Sequence, residues 1–130
     1  MKTLKKYFEN TKGTGVLATA NASGTVNAAI FGRPHFMEEA TIAFIMPDRL
    51  THENLKTNGS AVYLFRESGD GYAGKRLYLT RTGESEDAAL IEKIRSRPRH
   101  GDHPDEPRKK SYLVYFTIDR VLPLIGDGIG

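Results

Sequence analysis

The sequence predicts a mainly β fold: a six-stranded antiparallel barrel with short flanking helices. Three observations carry that expectation. Six runs of apolar or alternating residues recur along the 130-residue chain. Most are joined by turns of hairpin length, whereas parallel strands need crossovers of a dozen residues or more. The helical segments are too few to cover both faces of an open sheet, so the sheet must curl on itself.

Residues 2 to 11 read as a short helix with Leu4, Tyr7 and Phe8 on one side, ended by Lys12-Gly13-Thr14-Gly15. Val16 to Ala20 is the first strand, and Asn21-Ala22-Ser23-Gly24 is a four-residue turn. Thr25 to Phe31 returns until Gly32-Arg33-Pro34 interrupts it, because proline donates nothing to a ladder. Glu38-Glu39 is a further turn, and Ala40 to Met46 is the third strand. A short polar helix follows, from about Arg49 to Lys56, and Asn58-Gly59 turns the chain into a fourth strand at Ser60 to Phe65. Ser68 to Gly74 is a glycine-rich loop. Lys75 to Thr82 alternates, with Leu77 and Leu79 opposite Arg76, Tyr78 and Thr80, as a half-buried strand does. A helix starts at Ser85 or Glu86 and runs to about Ser96 with Ala89, Leu90 and Ile94 as its apolar side. Residues 97–110 read as a mobile basic loop, Tyr112 to Ile118 as the sixth strand, and 125–130 as a flexible tail.

A chain of this length is expected to form one domain, 1–130, and to bury roughly two-thirds of its unfolded surface. The composition, 38% hydrophobic and 27% charged, is ordinary for a soluble protein. No apolar run approaches the roughly 20 residues of a membrane helix. Met1 to Lys6 lacks the apolar stretch of a signal peptide, so the cytoplasm is the expected compartment. Cysteine is absent, which excludes disulfides, thiolate metal sites and cysteine nucleophiles. The net charge of +3 is too small to imply nucleic-acid binding.

The strongest functional lead is the junction after the third strand. Met46-Pro47-Asp48-Arg49-Leu50-Thr51 leads from the apolar strand Ala40 to Met46 straight into a helix. The first turn of a helix carries free backbone N–H groups and a partial positive charge. Arg49 and the Thr51 hydroxyl add to it, and the place suits a phosphate. The alternative is a solvated first turn in which Asp48 or Thr51 only caps the helix.

The order and wording of these elements resemble the pyridoxamine 5'-phosphate oxidase-like flavoproteins, and most closely their small FMN-binding branch. Three places over roughly Tyr7 to Leu124 carry the likeness. They are the hairpin Gly15-Val16-Leu17-Ala18-Thr19 with Gly24-Thr25-Val26-Asn27-Ala28-Ala29-Ile30, the stretch Asp48 to Gly59, and the apolar strand Ala61 to Phe65. The resemblance implies a split-barrel fold and a homodimer with FMN at the subunit interface. It implies that Asn27, Ala28, Ala29 and Ile30 contact the flavin ring edge through their backbone. It further implies that Met46, Pro47, Arg49, Leu50 and Thr51 hold the phosphate. The implied activity is hydride or electron transfer between the flavin and a small-molecule substrate or electron donor. Many members carry a lysine beside the phosphate-binding serine or threonine. Here Leu50 or Thr51 stands in that place, with Arg49 as the adjacent cation. The arginine and histidine set that grips pyridoxamine phosphate is missing, so that substrate is not implied. Within the family, haem or a deazaflavin can replace FMN.

Flavin chemistry belongs to the cofactor, so no triad or metal cluster is required of the chain. No catalytic side chain stands out. Arg33 and Lys75 are candidates for a positive charge near the flavin ring, and Tyr72 either stacks on a ring or anchors its own loop. His52 reads as a surface helix residue and His35 as a turn residue near the barrel rim. His100 and His103, with Asp105 and Glu106, read as an exposed polar loop and not as a metal site. Ser23 and Ser111 have no visible base partner. The basic stretch Lys93 to Lys110 lacks interleaved aromatic residues, which argues against nucleic acid; closing over an anionic ligand is its better reading. Two other functions stay open: a flavin carrier or sensor without turnover, and a barrel that binds nucleic acid or another anion.

Overall fold

The computed structural model of the chain describes residues 2–38, 40–96 and 110–126. Helix α1 (Lys2–Asn10) precedes strand β1 (Gly13–Ala20), which turns back into β2 (Val26–Phe31). The short β3 (His35–Phe36) and β4 (Thr41–Pro47) form a second hairpin, and helix α2 (Leu50–Thr57) follows directly. Then come β5 (Ser60–Glu67), the long β6 (Gly74–Ser85), helix α3 (Ala88–Arg95) and β7 (Ser111–Pro123). All pairings are antiparallel, and the seven strands form one sheet in the order β2-β1-β5-β6-β7-β4-β3. The sheet curls until its ends meet through side chains. The rings of Phe31 on β2 and Phe44 on β4 lie 5.9 Å apart, and the Tyr63 hydroxyl donates to the Phe31 and Gly32 carbonyls. Among the described residues no ladder joins β2 to β3 or β4, so the barrel is split along that seam.

Among the described residues seven strands stand where six were expected. The extra one is His35–Phe36, which pairs with Ala43 and Ile42 just after the Gly32-Arg33-Pro34 break. Two residues are too few to show an alternating period, and His35 is accordingly a strand residue and not part of a turn. Strand β6 runs on to Ser85, past the expected end at Thr82, because register shifts at Tyr78/Leu79 and Arg81/Gly83 break its alternation without breaking the ladder. Helix α3 therefore starts later than expected, after Asp87, whose carboxylate accepts from the Ala89 and Leu90 N–H groups. The hairpin at Asn21 to Gly24 forms as expected. The Asn21 side chain accepts from the Ser23 and Thr25 amides, and Gly24 takes a left-handed φ of 85°.

Burial follows the pleat. Leu17 on β1, Tyr63 and Phe65 on β5, and Leu77 and Leu79 on β6 point inward. They meet Phe8 of α1 and Phe44 and Phe116 from the other side of the barrel. Ring centroids of Phe8 and Phe65, and of Phe44 and Tyr63, lie 5.0 Å apart. Strand β4 is apolar on both faces because it is covered on both. Ile42, Phe44 and Met46 face the barrel, and Ala43 lies under Ile91 and Ile94 of α3. The outer face of β2, β1 and β5 is different. There Ile30, Val16 and Leu64 stand side by side in register, as do Ala28, Ala18 and Val62. Val26 and Ile30 are 78% and 71% exposed, and no described helix covers this apolar face.

Candidate functional site

Two features predicted from separate parts of the sequence meet in space. Strand β2 is an edge strand, paired only with β1 among the described residues. Every second N–H and C=O along its outer edge is therefore directed away from the ladder. Helix α2 starts immediately beyond Pro47, with Arg49 at its N-cap in extended conformation and no side chain capping it. The first backbone bond of the helix runs from the Glu53 N–H to the Arg49 carbonyl, so the Leu50, Thr51 and His52 N–H groups lack intrahelical acceptors. The Asn27 amide of β2 donates to the Thr51 hydroxyl of α2 at 3.4 Å. Beside it, the buried Asn54 amide donates to Thr19 on β1 at 3.1 Å. These two bonds set the start of the helix against the free edge of the sheet.

The candidate residues divide by what they expose. Thr51 is 5% exposed, and its oxygen accepts from Asn27, which leaves its own hydrogen to donate. Arg49 and Leu50 are exposed, and Pro47 is half-buried. The Met46 side chain is fully buried in the barrel core, so only its backbone is available at the junction. Along β2, Ala28 and Ile30 are exposed, whereas Asn27 and Ala29 are half-buried on the other face. The Asn27 side chain thus bonds a neighbouring element, and the backbone is what this strand offers a ligand.

Three sequence candidates lie elsewhere. Arg33 is buried, and its guanidinium donates to the Phe8 and Thr11 carbonyls at 3.0 and 2.8 Å. It thereby satisfies carbonyls orphaned at the end of α1. The Lys75 ammonium lies 4.7 Å from the centre of the Tyr7 ring. Tyr72 is exposed in the β5–β6 loop under the Arg66 guanidinium, one strand length from α2. The expected basic loop at Arg97 to Lys109 and the tail at 127–130 lie outside the described residues. Lys110 is described, and its ammonium pairs with Glu86 at 2.6 Å.

His52 is the correction. It was expected on the helix surface, yet it is 1% exposed. Its Nδ1 lies 2.7 Å from Asp48 Oδ1 and its Nε2 lies 2.9 Å from Glu84 Oε1. Its ring stacks on Tyr112 at 4.2 Å. Glu84 also accepts from Arg81 at 2.9 Å. The His52 hydrogen bond holds the Asp48 carboxyl below its ordinary value. Burial pushes the Glu84 carboxyl up, but hydrogen bonds from Arg81 and His52 outweigh it and bring it below its ordinary value. The sequence held one signal for this cluster, the i, i+4 spacing of Asp48 and His52. Glu84 was hidden because β6 was expected to end before it.

Among the described residues no group of three or more His, Cys, Asp or Glu side chains could hold a metal ion. No described helix is long and apolar enough to cross a membrane.

No protein-family model matches the sequence, and no curated protein matches it. Solved structures do match. An FMN-binding protein from Syntrophomonas wolfei superposes with a TM-score of 0.73 at 17% identity, covering 95% of this chain and 85% of that one. An F420 reductase superposes with a TM-score of 0.69 at 16% identity, covering 90% and 94%. A Lactobacillus delbrueckii protein provisionally assigned as a pyridoxamine 5'-phosphate oxidase gives 0.64 at 16% identity, covering 94% and 92%. With seven antiparallel strands, short helices and an open seam, this chain has the split-barrel fold of the pyridoxamine 5'-phosphate oxidase-like proteins.

Proposed function

We propose that this protein binds FMN as a homodimer and works as an oxidoreductase on a small molecule. The observation that carries the reading is the Asn27–Thr51 contact, which brings a free strand edge and an uncapped helix start together. The residues present fit such a ligand. The backbone edge at Asn27 to Ile30 offers the alternating donors and acceptors that the pyrimidine side of the ring requires. Ala28 and Ala29 carry no bulk that would keep the backbone from the ring. The Leu50, Thr51 and His52 N–H groups, the Thr51 hydroxyl and Arg49 suit a phosphate, with Met46 and Pro47 shaping the approach. Bound there, FMN supplies hydride or electron transfer, and the protein supplies binding and orientation.

The exposed apolar face of β2, β1 and β5 supports the dimer. Contiguous apolar surface of this kind is characteristic of an interface, and it adjoins the strand assigned to the ring. The likeness to an F420 reductase favours a second reading, in which a deazaflavin takes the same place. The visible spectrum of the purified protein, with identification of the chromophore released by heat, tests both. Released FMN, one per chain, is the expected result. A deazaflavin spectrum would select the second reading, and a colourless protein that fails to take up added FMN would contradict both. Reduction by a nicotinamide cofactor and reoxidation by a substrate would distinguish an enzyme from a carrier.

A further inference from the structure

We propose that His52 is a positioning residue that gives the α2 junction its selectivity for a phosphorylated flavin over riboflavin. The inference rests on the phosphate reading above. His52 contributes one of the three free N–H groups of the helix start, and its side chain fixes where they point. The ring is held by three elements at once: Asp48 Oδ1 in the turn before α2 at 2.7 Å, Glu84 Oε1 on β6 at 2.9 Å, and the Tyr112 ring on β7 at 4.2 Å. A helix start is ordinarily free to fray; this one is clamped to the barrel wall one residue from Thr51.

The ring sits among charged groups. Around it stand Asp48 and Glu84, Arg81 against Glu84 at 2.9 Å, and the Lys56 ammonium 3.8 Å from Asp48. The Lys110 ammonium lies over the Tyr112 ring at 5.5 Å. Asp48 and Glu84 each have a second, cationic partner, so loss of the imidazole removes the tie between the turn before α2 and β6. The ring-binding edge of β2 is on another element and is joined to the helix start through the Asn27–Thr51 bond, not through His52, Asp48 or Glu84.

The test is the affinity of the full chain for FMN and for riboflavin, with thermal melts, in the wild type, His52→Gln and Glu84→Ala. Glu84 is on β6, so its variant loosens the clamp without altering the helix sequence. The proposal expects the riboflavin-to-FMN ratio of dissociation constants to fall about tenfold or more in both variants, through weaker FMN binding. A merely structural His52 would weaken both ligands together and leave the ratio unchanged, and that result overturns the proposal. If both variants unfold, His52 serves the fold and the proposal is likewise overturned. A wild type that binds FMN and riboflavin equally would refute the phosphate junction itself. A wild type that discriminates while the variants keep its ratio would refute only the role of His52.

Discussion

Thr51 is followed by His52, a residue that neither composition nor periodicity marked. The place of Thr51 in the first turn of α2 was legible, and a hydroxyl there made it a candidate. His52 was not, because in a helix of otherwise polar residues nothing local distinguishes a buried imidazole from an exposed one; its partners come from the turn before α2, from β6 and from β7. The carboxyls that surround it make acid stability sensitive to this cluster. Asp48 and Glu84 have folded-state values lowered from 3.8 and 4.5. Their contribution is therefore present above those ordinary values and is lost as pH falls through the lowered ones, where the unfolded chain already binds the protons. Thermal melts between neutral pH and pH about 3 should show a drop below pH about 4.5 that is shallower in Glu84→Gln. An identical drop in the variant would remove Glu84 from the account. At the same scale, Gly15 faces the Tyr63 ring so closely that a Cβ would lie 2.3 Å from its Cζ, and the hydroxyl of that ring is tied to the Phe31 and Gly32 carbonyls. Gly15→Ala should destabilise the fold by about 1–3 kcal/mol, as overpacking does, measured by denaturant unfolding.

Helix α3 shows how local chemistry sets an element's boundary. The sequence places its start at Ser85 or Glu86, but β6 keeps pairing to β7 through Ser85, and Asp87 then caps. Asp87→Ala should destabilise by about 1 kcal/mol, and Asp87→Asn by less, because the amide oxygen still accepts. Equal losses would mean that the charge and not the capping bond matters. The strands were legible where one face is buried, as in the Leu77–Leu79 alternation of β6. They were not legible where bulges shift the register, or where a strand is two residues long, as β3 is. Helix α2 was placed correctly from its flanking strand and turn, and its docking on β1 and β2 follows from Thr19, Asn27, Thr51 and Asn54, none of which announces a partner in sequence.

At the scale of the whole molecule, the antiparallel barrel was legible from hairpin spacing and the scarcity of helices, whereas its split came from the family resemblance and not from the strand pattern, since a seam is a pairing that does not form. The same edge strand carries the backbone proposed for the ring on its margin and an apolar face on its outer side. Val26→Glu with Leu64→Glu should shift a dimer to monomer in light scattering; two charges on a covered apolar face would remain uncompensated. A variant that keeps the wild-type mass would remove this face from the interface. The proposed FMN site joins that edge to the start of α2. It is tested most directly by titrating FMN into the wild type and into Arg49→Ala/Thr51→Ala, followed by flavin fluorescence. Saturable binding at one FMN per chain is expected in the wild type, with a loss on the order of 2–4 kcal/mol in the double variant. Equal affinity in the two proteins would contradict it.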